Sequence, residues 1–119
     1  MPRNGVDIVS RGRSGDFDIT KNIRVIEWLK CQMLNSVAEI FNMLASGAKA
    51  SQEALAQCLG NIIIACYLLG KRLGIHYALI DQTIEDQIRL GIIEDNDIER
   101  SYGDLSELQQ HLRDSSNDL

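Results

Sequence analysis

Three cysteines, two histidines and seventeen carboxylates are the side chains with reactive or metal-ligating chemistry in this chain. The cysteines, Cys31, Cys58 and Cys66, lack CxxC spacing. Cys58 and Cys66 fall two helical turns apart on one predicted helix, too far to bridge each other. A nucleophilic cysteine needs an electropositive, exposed setting, and the apolar helix around these two offers the opposite. They read as reduced, partly buried thiols of a cytosolic protein. His76 and His111 are isolated in sequence, and His76, beside a predicted helix start, reads as a capping or surface residue. No serine has a nucleophile-elbow context, and neither GxGxxG nor a P-loop is present. Asp81 and Glu85 lie one turn apart and could share an ion, although a solvated acidic face explains them equally well. Glu85 and Asp86 are adjacent, so they point to different faces. The run Glu94, Asp95, Asp97, Glu99 lacks the glycine and spacing of an EF-hand loop.

These side chains sit in a chain of 119 residues, enough for one domain with a modest core and near the size at which a partner subunit helps. Apolar residues make up 45% and Pro2 is the single proline, which argues against disorder and against a turn-rich β architecture. The longest apolar runs, such as that from Ile62 to Leu69, are too short to span a bilayer. The N-terminal residues lack the apolar stretch of a signal peptide. Before Asp81 there are nine Lys/Arg against six Asp/Glu, and from Asp81 onward three against eleven. Such an acidic second half repels nucleic acid and anionic lipid, so neither nucleic acid nor membrane is expected as a partner. Arg3, Arg11 and Arg13 form the only basic group and read as part of a solvated tail.

The periodicity predicts helices throughout, and no strand pattern survives it. Residues 1–17, with Gly5, Gly12 and Gly15, read as a flexible tail. Asp18 or Thr20 can cap a first helix, in which Ile19, Ile23, Ile26, Met33, Val37, Ile40 and Leu44 recur at steps of three and four. It runs to about Ser46, closed by Gly47, and its length leaves room for a break near Asn35-Ser36. Ser51 caps a second helix, with Glu53 near its positive end. Its stripe is Leu55, Leu59, Ile62, Cys66, Leu69 and Leu73, and Ile63, Ile64, Tyr67 and Leu68 widen it until the helix is apolar nearly all round. Such a helix must be covered on nearly all sides, which a chain of this size achieves most readily with a second copy of itself. Lys71-Arg72-Leu73-Gly74-Ile75 predicts the stop, with cations at the negative end and Gly74 in the left-handed position. A third helix follows from His76-Tyr77 to about Gly91, with Leu79, Ile80, Ile84 and Ile88 inward. A short final helix, Leu105 to Leu112, starts at Asp97 or Asp104, and residues 114–119 read as disordered. Trp28 reads as a core or interface anchor.

The segment Leu59-Gly60-Asn61-Ile62-Ile63-Ile64-Ala65-Cys66-Tyr67-Leu68-Leu69-Gly70-Lys71-Arg72-Leu73-Gly74-Ile75 resembles the MazG family of all-α nucleoside triphosphate pyrophosphohydrolases. The stretches from Asn22 to Lys30 and from Tyr102 to Leu105 resemble a short, stand-alone bacterial group within it. The resemblance covers about residues 18 to 112. It implies two acidic motifs, Glu-Glu-x-x-Glu on one helix and Glu-x-x-Asp on the next, whose carboxylates hold magnesium. A cluster of carboxylates is stable only when a cation offsets its repulsion, and that ion would carry the triphosphate and position or activate water. Here the first motif falls on Asn35-Ser36-Val37-Ala38-Glu39 and retains only Glu39. The second falls on Cys58-Leu59-Gly60-Asn61 and retains no acid. Cys58 is too soft for magnesium, while Asn61, and Gln57 one turn before it, can each offer a neutral oxygen. The third helix of active relatives presents a Lys and an Asn, for which this chain has Gln87 and Gly91.

The expectation is therefore an oligomeric, all-α, MazG-like bundle over residues 18–113, with a degenerate metal site at Glu39, Gln57 and Asn61 and altered motif positions at Asn35, Ser36 and Cys58. Magnesium is a possible cofactor through Glu39 alone. The leading function is a cytoplasmic, bacterial, non-catalytic or weakly active homologue that binds a nucleotide or a protein partner. The alternatives are an active magnesium-dependent pyrophosphohydrolase and a purely structural oligomer.

Overall fold

A computed structural model describes residues 4–46, 51–94 and 96–117. It contains five helices: α1 Asn4–Ala45, α2 Gln52–Arg72, α3 Tyr77–Ile93, α4 Asp97–Tyr102 and α5 Asp104–Asn117. No strand occurs among the described residues. The chain divides into two compact units, Met1–Ile75 and His76–Leu119.

In the first unit α1 and α2 pair as an antiparallel hairpin. Asn22 Nδ2 donates to the Arg72 carbonyl at 3.0 Å, and Arg72 Nη1 donates back to Asn22 Oδ1 at 3.2 Å. Far along the same helices, Cys58 meets Glu39. These two points fix the register and bring Leu29 level with Ala65. Leu29 is 2% exposed and is the largest fully buried side chain; Ala65, Cys58 and Ser36 are also buried. Among the covered positions, 22, 26, 29, 33, 36, 40 and 43 on α1 and 55, 58, 62, 65 and 69 on α2 repeat at alternating steps of three and four, with 25, 37, 54, 60, 67 and 70 covered beside them. That is the seam of a coiled-coil-like pair. It differs from the expected stripes, because Ile19, Ile23, Leu44, Leu59, Cys66 and Leu73 are exposed. Ile26, Met33, Val37, Ile40, Leu55, Ile62 and Leu69 of those stripes are covered, so periodicity found part of the inner face and drew it wider than one seam can use.

The start and stop of α2 follow their residues. Ser51 Oγ accepts the Ala54 N–H at 3.0 Å, and Glu53 lies in the first turn. At the other end Gly74 has φ +85°. Ile75 N–H reaches the Gly70 carbonyl at 2.8 Å and Gly74 N–H the Lys71 carbonyl at 3.1 Å, the double closure of a Schellman motif. A Cβ on Gly74 would meet nothing within 4 Å. Gly74→Ala therefore tests backbone strain alone, and it should lower unfolding stability by about 1–2 kcal/mol, read as a shift of the urea midpoint with unchanged slope.

The first helix departs from expectation at both points raised for it. It runs without a break through Asn35-Ser36, and its helical backbone begins at Asn4 rather than at Asp18 or Thr20. Glycine disfavours a helix by about 1 kcal/mol per residue without forbidding it, so Gly5, Gly12 and Gly15 do not mark a boundary. The closing role given to Gly47 lies outside the described residues. Residues 114–117, read as disordered, continue α5.

By length and composition α2 would suffice to cross a bilayer: 21 residues with a mean hydropathy of 1.5 over an 18-residue window. The run from Ile62 to Leu69 understated this, because alanines, glycines and cysteines extend the apolar character along the whole helix.

In the second unit Asp97 and Asp104 both start helices. Asn96 Oδ1 accepts the Glu99 N–H at 2.9 Å at the head of α4. Gly103, with φ +68°, breaks α4 from α5. Glu99 then caps α5: Oε1 accepts the Ser106 N–H at 3.0 Å and Oε2 accepts the Ser106 hydroxyl. These bonds, the Ser106 hydroxyl above all, hold the Glu99 carboxyl below the usual range. The acidic run is thus capping chemistry rather than a cation loop, with Asp97 paired to Arg100 at 3.7 Å; Asp95 lies outside the described residues.

Candidate functional site

The altered motif positions lie on the facing helices of the first unit, Asn35, Ser36 and Glu39 on α1 and Gln57, Cys58 and Asn61 on α2. Glu39 and Ser36 are one turn apart, as are Gln57 and Asn61, so each group shares one side of its helix. The antiparallel register then sets them across from one another. Ser36 and Cys58 enter the seam, while Asn35, Glu39, Gln57 and Asn61 stay exposed along its edge.

One polar contact joins the two sets. The Cys58 thiol donates toward Glu39 Oε2 with an Sγ–O separation of 3.7 Å. Cys58 is 6% exposed. Burial first, then the negative charge of Glu39 and the hydrogen bond to it, push the thiol above its ordinary value of 9.0. The thiol therefore keeps its proton at neutral pH and meets the carboxylate as a donor. Both residues stand at motif positions in the sequence, and the contact between them appears only in the fold. The signal was the spacing 29, 33, 36, 40 against 55, 58, 62, 65, which puts Cys58 in the seam next to the Glu39 turn.

The donor set does not suit magnesium. A hard cation wants several oxygen ligands, usually with at least one or two carboxylates. Glu39 is the single carboxylate among the six positions, and it accepts a hydrogen bond from a protonated thiol. Among the described residues no three His, Cys, Asp or Glu side chains gather as a metal-holding group.

The remaining candidates go elsewhere. Gln87 is exposed on α3. Gly91 is packed against the second unit's own interior: a Cβ there would meet Leu105 Cδ1 at 2.6 Å and Asn96 Nδ2 at 3.0 Å. A larger residue there would require the Leu105 methyl and the Asn96 amide to turn aside. Asp86, next to Glu85, takes Gln82 Nε2 at 3.0 Å and pairs with Arg89, as a solvated helix face does. His76 is the N-cap of α3 without a side-chain cap bond, and His111 is exposed. Trp28 is exposed too, so it is not a core residue of this chain.

An open cleft of about 530 Å³ lies at the far end of the hairpin, where Lys21, Asn22, Ile23, Val25 and Arg72 contribute to its lining. Asn22 is seventeen residues before Glu39, roughly 25 Å along the helix axis, so this cleft is separate from the motif positions.

The family model described as the MazG-like family matches residues 19–105. The chain belongs to the MazG-like family. The match takes in both motif helices and ends at Leu105, the residue packed on Gly91. No curated protein and no solved structure matches the chain. As a MazG-like chain it has the fold of nucleoside triphosphate pyrophosphohydrolases, all-α with α1 and α2 paired.

Proposed function

We propose that this MazG-like chain is a non-hydrolytic or weakly hydrolytic member of its family, cytoplasmic, that acts by binding a nucleotide or a protein partner and works as a homo-oligomer. The observation that carries this reading is the Cys58–Glu39 contact. Where the family resemblance implies a cluster of carboxylates, one carboxylate faces one protonated thiol. A magnesium ion there would have to shed tightly held water for neutral ligands, which is unfavourable.

Self-association is supported by what the hairpin leaves uncovered. Ile63 and Ile64 on α2 are 57% and 56% exposed, and Leu59, Leu68, Leu34, Phe41 and Trp28 are exposed as well. Isolated exposed apolar residues are ordinary, but a run of them on a helix already used on its other side marks an interaction surface.

The test is pyrophosphate release from a panel of nucleoside triphosphates with magnesium or manganese. The intact protein is expected to release none above a buffer control, and Glu39→Gln is expected to leave that result unchanged. Robust release that Glu39→Gln abolishes would establish the active hydrolase instead.

A further inference from the structure

Glu39 and Cys58 approach one another across the α1–α2 seam at the place where the two motifs face each other. Carboxylates gathered between two helices repel, and a cation normally offsets that repulsion. Here the opposing group is a thiol, which carries no charge and brings its own hydrogen to the carboxylate. The seam beside it is apolar or small, with Ser36 buried and Ile40, Leu55 and Ile62 partly covered. Nothing in this arrangement leaves a charge for a cation to neutralise except that of Glu39, which is exposed to water.

We infer that the Cys58–Glu39 pair closes this part of the hairpin without metal, the thiol hydrogen occupying the place of a divalent cation, so that magnesium and manganese do not bind between α1 and α2. The inference rests on the assignment of motif positions used for the proposed function, and it concerns the cation alone, without nucleotide.

The experiment is thermal unfolding of the full chain in chelator, in magnesium and in manganese, with direct calorimetric titration of manganese alongside. The intact protein should unfold at the same midpoint in all three conditions and give no binding heat. Cys58→Ser keeps a donor and should remain insensitive to metal. Cys58→Asp sets a second carboxylate against Glu39. It should unfold at a lower midpoint in chelator and recover in manganese, and the double change with Glu39→Gln should lose that recovery. A manganese-dependent rise in the intact protein that Glu39→Gln removes would overturn the inference. So would a folded Cys58→Asp variant with neither loss nor metal response. If that variant does not fold, the calorimetric titration of the intact protein still decides. Metal stabilisation without pyrophosphate release would overturn this inference and leave the proposed function standing. Pyrophosphate release from a chain that ignores metal until nucleotide is added would do the reverse.

Discussion

Leu29→Ala should destabilise the chain by about 2–5 kcal/mol, the range for removing a buried leucine and leaving a partly relaxed cavity. Leu29 is the most completely buried large side chain, 2% exposed, and the register sets it level with Ala65, which is too small to expand into the space. The neighbours that could collapse onto the gap are held by the seam at Ile26 and Met33, both partly covered. The measurement is a urea unfolding curve at one fixed protein concentration, since association couples concentration to stability. The midpoint should fall with the slope retained. The same substitution at Leu34, on the exposed side of α1, gives the control. It should cost far less in the chain alone, and any large loss there reports contacts made between copies.

The second large effect is on association. In the chain by itself Ile63 is 57% exposed, so Ile63→Asp in a monomer would be a surface change worth no more than about 0.5 kcal/mol. In an assembly that covers α2 it buries an unpaired charge, which costs several kcal/mol in each copy. Light scattering at micromolar concentration should show at least a dimer for the intact protein, and Ile63→Asp should reduce the mass to one chain of 13.3 kDa or unfold it. A clean monomer for the intact protein, with Ile63→Asp equally stable, would remove self-association from the account.

These two residues also show what the sequence makes legible. The ends of α2 are written in local chemistry, a serine at the cap, two cations in the last turn and a glycine beyond it, and each acts as local chemistry dictates. The seam is not legible in that way. Isoleucines at 19 and 23 and leucines at 44 and 59 complete good helical stripes yet stay exposed, whereas Ser36 and Cys58 enter the seam. When both faces of a helix are apolar, periodicity cannot say which one the neighbouring helix takes. Only the pairing of Asn22 with Arg72 and of Glu39 with Cys58 resolves it.

The candidate site divides along the same line. The positions 35, 36, 39, 58 and 61 were chosen through the resemblance to the family's motif spacing, and the structure sets them on the facing helices α1 and α2. Two things required coordinates. One is that the Cys58 thiol turns toward Glu39. The other is that Gly91 faces the Leu105 and Asn96 side chains of its own unit, where a bare glycine on a helix reads only as a lost side chain. The glycines before residue 16 misled in the opposite sense, since the backbone there is helical from Asn4.

On this reading the scaffold persists while its ion-binding charge has gone. The most direct measurement is a calorimetric magnesium titration of the intact protein beside a variant that carries Asn35→Glu, Ser36→Glu, Cys58→Glu and Asn61→Asp, which rebuilds both acidic motifs on α1 and α2. The rebuilt protein should bind magnesium saturably and its parent should bind none. Binding to the parent, or a folded rebuilt protein that takes no magnesium, would contradict this reading.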